Sequence, residues 1–358
     1  MDERVPRVAV VGAGVAGLAC ARTLAGRGLD VTVFDKGRGP GGRTATRRVD
    51  PGLAFDHGAQ YFTARHPDFA RAVGAWQERG VVAEWGGRVV KLEGGVAADT
   101  TPQPRYVGVP GMSAVAADLA ATLAVRRSTR VVRAARAPAG WQVADEAGGG
   151  AGPFDFLVVA LPAPQAAELL APHPFAAAAA GTPMTPCWAV LAAFADRLDV
   201  PWDGAFVHGS PLSWVARNGS KPGRPGGADS WVLHAGAAWS AAHLEAPPDA
   251  VVPLLLYAFA AATGRVLPPA VYRAAHRWRY SLGADHANRT TLFDAAAGLA
   301  VCGDWLAGGR VEGAFLSGAA AAGRIVRAAG GPIASAGRDA ITGGGWESTW
   351  EGNRREFT

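Results

Sequence analysis

The sequence predicts an α/β protein, a doubly wound and mostly parallel sheet with a second, α+β region inserted into it. Three observations carry this. Apolar runs at 7–11 and 31–35 flank a stretch, 15–27, with helical character, which is the pattern of a βαβ unit. A glycine loop, Gly12-x-Gly14-x-x-Gly17, joins the first run to that helix. A second strand–turn–helix pattern, "VCGDWLAGGRVEGAFLSGAAAAGRI", returns near the far end, at 301–325.

Between these ends the chain reads in order as a helix over 66–79, where Phe69, Val73 and Trp76 recur at helical spacing, and a second helix over 110–123. A β-meander over 129–146 and a buried strand over 154–162, stopped by Pro162, come next. Strands of a different sheet are predicted at 185–195 and 229–237, a helix at 249–264 and an apolar strand at 298–305. The tail beyond Gly330, with its triple glycine at 343–345, reads as weakly ordered.

With 358 residues, 49% hydrophobic and 18% charged, the chain can bury two cores and is globular, not disordered. The net charge of +5 is scattered and almost entirely arginine, since only Lys36, Lys91 and Lys221 are lysines. That pattern suits small anionic ligands and argues against a nucleic-acid partner. Cys20, Cys187 and Cys302 form no CxxC pair, as in a reducing cytoplasm. Residues 8–20 are apolar but broken by three glycines and preceded by Asp2 and Glu3, unlike a signal peptide. No apolar stretch reaches the roughly 20 residues that span a bilayer. A cytoplasmic protein with no membrane partner is expected; its oligomeric state is left open.

The first glycine loop carries specific physics. Gly12 permits a tight turn, Gly14 lets the backbone approach a diphosphate, and Gly17 lets helix and strand pack closely. Gly12, Ala13, Gly14, Val15, Ala16 and Gly17 are therefore the candidate cradle of a dinucleotide. Asp35, followed by Lys36, closes the second strand where an acid accepts from ribose hydroxyls. The next segment, "GRGPGGRTAT" (37–46), selects among dinucleotides. A nicotinamide-binding fold needs no second phosphate-approaching loop here, whereas a chain holding FAD does. Gly41 and Gly42 allow that approach, and Arg43 can neutralise the pyrophosphate.

At this point the sequence resembles the flavin amine oxidase superfamily, in which GGR-x-x-[ST] follows the ribose acid; Arg38, Gly41, Gly42, Arg43 and Thr46 match. The resemblance implies a three-layer, glutathione-reductase-like FAD-binding domain made of 1–60, 105–165 and 295–330. A substrate domain of 61–104 and 166–294 would carry a mixed or antiparallel sheet, with 331–358 as a flexible tail. It also explains the late return. Gly303 and Asp304 would meet the ribityl or phosphate region, and the helix starting near Arg310, Val311 and Glu312 would aim its positive end at the flavin pyrimidine edge. Two readings of Glu312 stand, a cofactor contact or a cap of its own helix. Arg130, just before the meander, is placed near the adenine.

Several stretches narrow the resemblance to the bacterial renalase-like proteins: "DHGAQYFTARHPDF" (56–69), "EWGG" (84–87), "VGVPGMSAVAADL" (107–119), "VVALPAPQA" (158–166), "WSAAHLE" (239–245), "HRWRYS" (276–281) and "CGDWLAGGRVEGAFLSG" (302–318). His57 departs from that pattern, standing where a small or aliphatic residue is usual. The resemblance implies an FAD-dependent oxidase of the 2-dihydro and 6-dihydro isomers of NAD(P)H. Hydride would pass to flavin N5, and O2 would reoxidise the flavin to give H2O2. Such chemistry needs orientation more than acid–base help, and the sequence shows no catalytic triad or metal-ligand cluster. Lys91 and Lys221, in loop-like surroundings, are not read as the lysine that amine oxidases of the superfamily place by N5. Gln60 and Tyr61 are predicted to border the ring. Trp239, His243, Arg277, Trp278 and Tyr280 are candidates for the substrate face, although Trp278 and Tyr280 also fit as core residues of a strand. The rivals are an amine oxidase or desaturase on the same frame, and a flavin-binding redox module without turnover.

Overall fold

The computed structural model describes residues 4–49, 52–283 and 289–330. The tail expectation for 331–358 lies outside the described residues. The first sheet has six strands in the order Leu292–Asp294, Leu299–Val301, Phe156–Val159, Arg7–Val11, Asp30–Phe34 and Ala124–Arg126. All neighbours run parallel except the first pair. From Arg7–Val11 the chain winds one way to Asp30–Phe34 and then Ala124–Arg126, and the strands after these add on the other side. The topological switch therefore falls between Arg7–Val11 and Phe156–Val159, where open α/β sheets bind their ligands.

Helices cover one face of this sheet and a three-stranded antiparallel meander covers the other, giving three layers. The helix Val15–Gly26 is apolar nearly all round because it is buried on two sides, by the sheet and by the late helix Val311–Ala328. Gly318 makes the second contact possible: a Cβ there would stand 2.1 Å from the carbonyl oxygen of Ala16. The small residues of the late helix thus let two backbones approach.

The second sheet has seven strands, in the order Ala270–Gly283, Met184–Phe194, Asp229–Ala235, Leu212–Arg217, Gly204–His208, Val89–Glu93 and Val96–Asp99. It is mixed, since Gly204–His208 pairs parallel to Val89–Glu93 while the other neighbours are antiparallel. One face rests on the helix Pro248–Thr263, whose Val251, Leu255 and Phe259 recur on one side and are buried. The other face looks toward the first sheet.

The expected helix at 110–123 shortens to Ala114–Ala120, and the strand at 298–305 shortens to Leu299–Val301 before a 3-10 turn at Asp304–Leu306. Two boundaries shift for reasons of packing. The helix Pro67–Glu78 belongs with the first core, because Phe69 and Trp76 pack on Phe315 of the late helix with centroids 5.3 and 5.7 Å apart. The edge strand Leu292–Asp294 joins the first sheet ahead of the expected boundary at 295. Gly318→Val is expected to lower stability by about 2–3 kcal/mol or more through overpacking, seen as a drop in thermal midpoint with loss of bound flavin.

Candidate active site

A cavity of about 1520 Å³ runs between the two sheets, from Gly12, Asp35 and Arg130 at one end to Trp214, His276 and Trp278 at the other. Its first end lies at the switch point. Gly12 has φ 110°, and a Cβ on it would meet the Ala160 carbonyl oxygen at 2.5 Å. Gly17 packs the helix on the same loop, its would-be Cβ 2.0 Å from the Gly12 carbonyl oxygen. A Cβ on Gly14 would meet nothing within 4 Å, so this glycine borders open space. Ala13 supplies the hinge between them. Its N–H donates to Asp35 Oδ2 at 2.6 Å, and its carbonyl accepts from Gly41 N–H at 2.9 Å. Asp35 Oδ1 accepts from Gly37 N–H at 2.6 Å, so the predicted ribose acid also stitches both loops together.

The second loop adopts the backbone that glycine alone holds readily, φ 130° at Gly41 and 54° at Gly42. A Cβ on Gly42 would stand 3.5 Å from the Cα of Gly14. Two glycine loops facing each other across a cleft form a cradle that side chains would fill, and a dinucleotide diphosphate fits it. Val15, Ala16, Lys36, Arg38 and Arg130 line the same end; Arg130 also reaches Glu146 at 3.6 Å.

In the middle of the cavity the second glycine loop meets the returning chain. Arg43 and Asp304 bind each other, Nη1 to Oδ2 at 2.8 Å and Nη2 to Oδ1 at 2.5 Å. Arg43 Nη1 also donates to the Ser281 carbonyl at 2.9 Å. Three of its five N–H donors are thus committed to the returning chain, in a partly buried place where an unpaired charge is costly, and Arg43 also lines the cavity. Gly303 N–H donates to Ser317 Oγ at 2.8 Å, pinning the same turn to the late helix. At that helix start Arg310 and Val311 line the cavity, and no side chain satisfies the first N–H groups. Glu312 Oε1 accepts from Arg65 and His66 N–H, each at 2.7 Å, holding the entry to Pro67–Glu78.

The far end is built on the inward face of the seven-stranded sheet. Register places His276, Ala189, His234, Trp214 and Phe206 in one row across five strands, and paired residues share a face. His57 enters from the turn after Leu53–Asp56 and packs against this row, 4.7 Å from His276 and stacked at 5.1 Å on Trp278. Its carbonyl accepts from Trp278 Nε1 at 2.8 Å and from His234 Nε2 at 3.1 Å. Burial, then the neighbouring His276, pushes His57 down to about 4; burial pushes His234 down to about 4 as well. Burial and Arg47 lower His276, and burial raises Cys187 to about 12. This wall is thus a set of uncharged rings. His57 Nδ1 and Trp214 Nε1 are buried without a hydrogen-bond partner.

Tyr61, Trp278 and Tyr280 line the cavity. Gln60 does too, but its amide is spent internally: Nε2 donates to the carbonyls of Asp56 and Gly58, and Oε1 accepts from Lys221 at 3.1 Å. Trp239 and His243 do not line it. They stack on each other at 3.9 Å on the short helix Ala237–Ala242 and its end. Arg277 reaches the rim, with its guanidinium held by Glu245 at 2.8 Å, because alternation along the strand turns Trp278 inward and its neighbour outward. Lys91 lies on a strand. Lys221 is wholly buried behind Gln60, paired with Asp56 at 3.5 Å, and burial pushes it down to about 8. Burial alone would raise Asp56, but Lys221 and Arg224 hold it low. Sequence reasoning passed over His234 and His276, although both sit at inward positions of alternating strands, "SWVLHA" and "HRWRYS".

Cradle and switch point define a dinucleotide-binding α/β protein with a ring-walled cavity beside the cradle. The chain belongs to the flavin containing amine oxidoreductase family, whose profile matches residues 89–326, and FAD is its cofactor. An NAD(P)-binding Rossmann-like domain profile matches residues 10–76. Over 62 residues the chain is 53% identical to hydroxyneurosporene desaturase of Rubrivivax gelatinosus, and over another 62-residue match 48% identical to protoporphyrinogen oxidase 2 of Arabidopsis thaliana. Each match is 17% of this chain, and the chain spans only 12% of either of these curated relatives. In fold it is similar to a chain from Exiguobacterium sp. 255-15, provisionally described as a protoporphyrinogen oxidase (TM-score 0.72, 13% identity, 90% of this chain and 99% of that one). Putrescine oxidase bound to putrescine is also similar (TM-score 0.67, 15% identity, 90% and 99%). No helix among the described residues is long and apolar enough to cross a membrane.

Asp304→Ala leaves the Arg43 charge without its partner and is expected to cost about 2–4 kcal/mol, measured as a lower thermal midpoint and a lower ratio of visible to ultraviolet absorbance after purification. The histidines predict an acid limb. Their folded pKa values, about 4, lie below the ordinary 6.5, so the unfolded chain takes up protons first and stability falls as pH drops from about 6.5 toward 4. His57→Phe should remove on the order of 2–3 kcal/mol of that fall, read by denaturant titrations across the range.

Proposed function

We propose that this protein is an FAD-dependent oxidase of the 2-dihydro and 6-dihydro isomers of NAD(P)H, yielding NAD(P)+, with O2 as final acceptor and H2O2 as product. The observation that carries the reading is the character of the cavity's far wall. His57, His234, His276, Trp214 and Trp278 present flat, uncharged rings there. Among the described residues the acids of the lining are Asp35 and Glu168 toward the adenosine end, and Asp304, which is paired with Arg43. An ammonium substrate would find no free carboxylate among the described residues of this wall, whereas a dihydropyridine finds surfaces to stack on. Arg47 and Arg48 in the lining suit a guest that carries phosphates.

FAD supplies, when bound, a two-electron acceptor that O2 can restore. The residues proposed to hold it are Gly12 to Gly17, Asp35, Lys36, Arg38, Gly41, Gly42 and Arg130, with Gly303, Arg310 and Val311 closing the ring end. The chain's further work is positional. The Arg43–Asp304 pair sets the distance between the two cofactor loops, and the ring wall orients the guest at about 3–3.5 Å from its acceptor, the range in which bound reactants need little further reorganisation. Oxidation of a dihydropyridine to an aromatic ring releases no proton that a base must collect, consistent with three neutral imidazoles and a capped Gln60. The division into a discontinuous cofactor domain and an inserted substrate domain, with the helix Pro67–Glu78 assigned to the former, is part of the same proposal.

Anaerobic addition of 6-dihydro-NAD to the yellow protein should bleach the oxidised flavin band, and admitting air should return one peroxide per substrate consumed. A panel of primary and secondary amines should leave the band unchanged. Bleaching by an amine in place of the dihydronicotinamide would transfer the protein to the amine-oxidising reading, and an inert flavin would favour a redox module.

A further inference from the structure

The hairpin that follows the second glycine loop brings one charge to the border of the ring wall. Thr46–Val49 pairs antiparallel with Leu53–Asp56, and Arg47 stands opposite Phe55, so the two share a face. That face lies on the seven-stranded sheet: Val49, Leu53 and Phe55 pack with Leu191, Ala193 and Tyr272, and Phe55 stacks on Tyr272 with centroids 5.4 Å apart. Tyr272 and His276 alternate onto the same side of their strand. Arg47 therefore stands where the apolar packing ends and the rings of His57 and His276 begin. Burial is the main cause that lowers both imidazoles; His276 on His57, and the Arg47 charge on each, add to it. Arg47 is exposed, lines the cavity and has no carboxylate partner among the described residues. Its neighbours in the lining are taken: Arg277 and Arg279 are held by Glu245, and Arg43 by Asp304. Alternation turns Arg48, opposite Ala54, to the other face of the hairpin.

We propose that Arg47 binds the phosphate on the ring-bearing half of the guest, so that the site takes a nicotinamide nucleotide in preference to the nucleoside. This inference rests on the dihydronicotinamide reading above. With the ring stacked on the wall, a phosphate on the 5′ carbon of its sugar stands one ribose away, at the border where Arg47 is rooted. A guanidinium meets a phosphate with paired, charge-assisted N–H donors. The glycine cradle that suits the cofactor diphosphate lies at the opposite end of the cavity, which leaves Arg47 to the guest.

The test uses the flavin-loaded protein and two guests, the 6-dihydro forms of nicotinamide mononucleotide and of the riboside that lacks its phosphate. The readout is the concentration giving half the maximal anaerobic bleaching rate. The mononucleotide should need at least ~10-fold less than the riboside, about what one charged hydrogen-bonded contact provides. Arg47→Met keeps most of the bulk, drops the charge, and should bring the two guests within about threefold of each other. Arg48→Met loses the same charge from the other face and should keep most of the preference. A second readout needs no guest: the imidazole titration of His276, followed by its ring proton resonances, should move up in Arg47→Met. A wild-type ratio near one, an unchanged ratio in Arg47→Met, an equal fall in Arg48→Met, or an unmoved His276 titration overturns the Arg47 assignment alone, since bleaching by either guest leaves the oxidase reading standing. Bleaching by neither guest, nor by 6-dihydro-NAD, overturns the function and this inference with it.

Discussion

The ion pair between Arg43 and Asp304 joins residues 261 positions apart, and the geometry around it decides where everything else can sit. Arg43 follows the second glycine loop; Asp304 follows the strand that returns after the inserted region. Two parallel hydrogen bonds in a partly buried place hold the loops at one separation and one orientation. The same segment is locked from a third side, since Ala59 N–H donates to the Arg43 carbonyl at 2.8 Å and Gly58 comes so close that a Cβ would stand 2.0 Å from that oxygen. Cofactor cradle, returning turn and the entry to the substrate wall thus share one anchor.

Behind that anchor lies a second buried hub. Asp56 receives Arg224 and Lys221, while Lys221 also holds Gln60 and Asn218. A carboxylate between two cations, with its remaining acceptor sites filled by Thr46 and the Met112 N–H, satisfies the condition under which buried charge is tolerated. Its consequence is stiffness in the turn 56–60, which carries His57 and the backbone of Gly58 to the cavity. The turn is polar beneath and aromatic above, so it can be rigid without exposing charge to the guest.

The inward face of the seven-stranded sheet completes the site by alternation. Each strand contributes one or two inward residues, and the register aligns them into a row whose members come from widely separated parts of the chain. Cys187 leaves room among the imidazoles and indoles that frame the cavity. Desolvation lowers the imidazole pKa values, so the wall presents uncharged rings.

The sequence by itself determined the βαβ start, the glycine cradle with Asp35, the family and its flavin, and the late strand–turn–helix, because each rests on local requirements: positive φ, close backbone approach, and periodicity within a dozen residues. For Trp278 and Tyr280 it left two readings, cavity or strand core, because alternation gives a face but not what the face meets. Only the tertiary structure decided that Arg43 spends its charge on Asp304, that Glu312 serves a distant helix entry, that Trp239 and His243 stack apart from the site, and that Lys221 is buried behind Gln60. It also decided the histidine row. These are matters of which partner arrives across long sequence separation, set by sheet register and loop convergence, and no local pattern in the chain carries them.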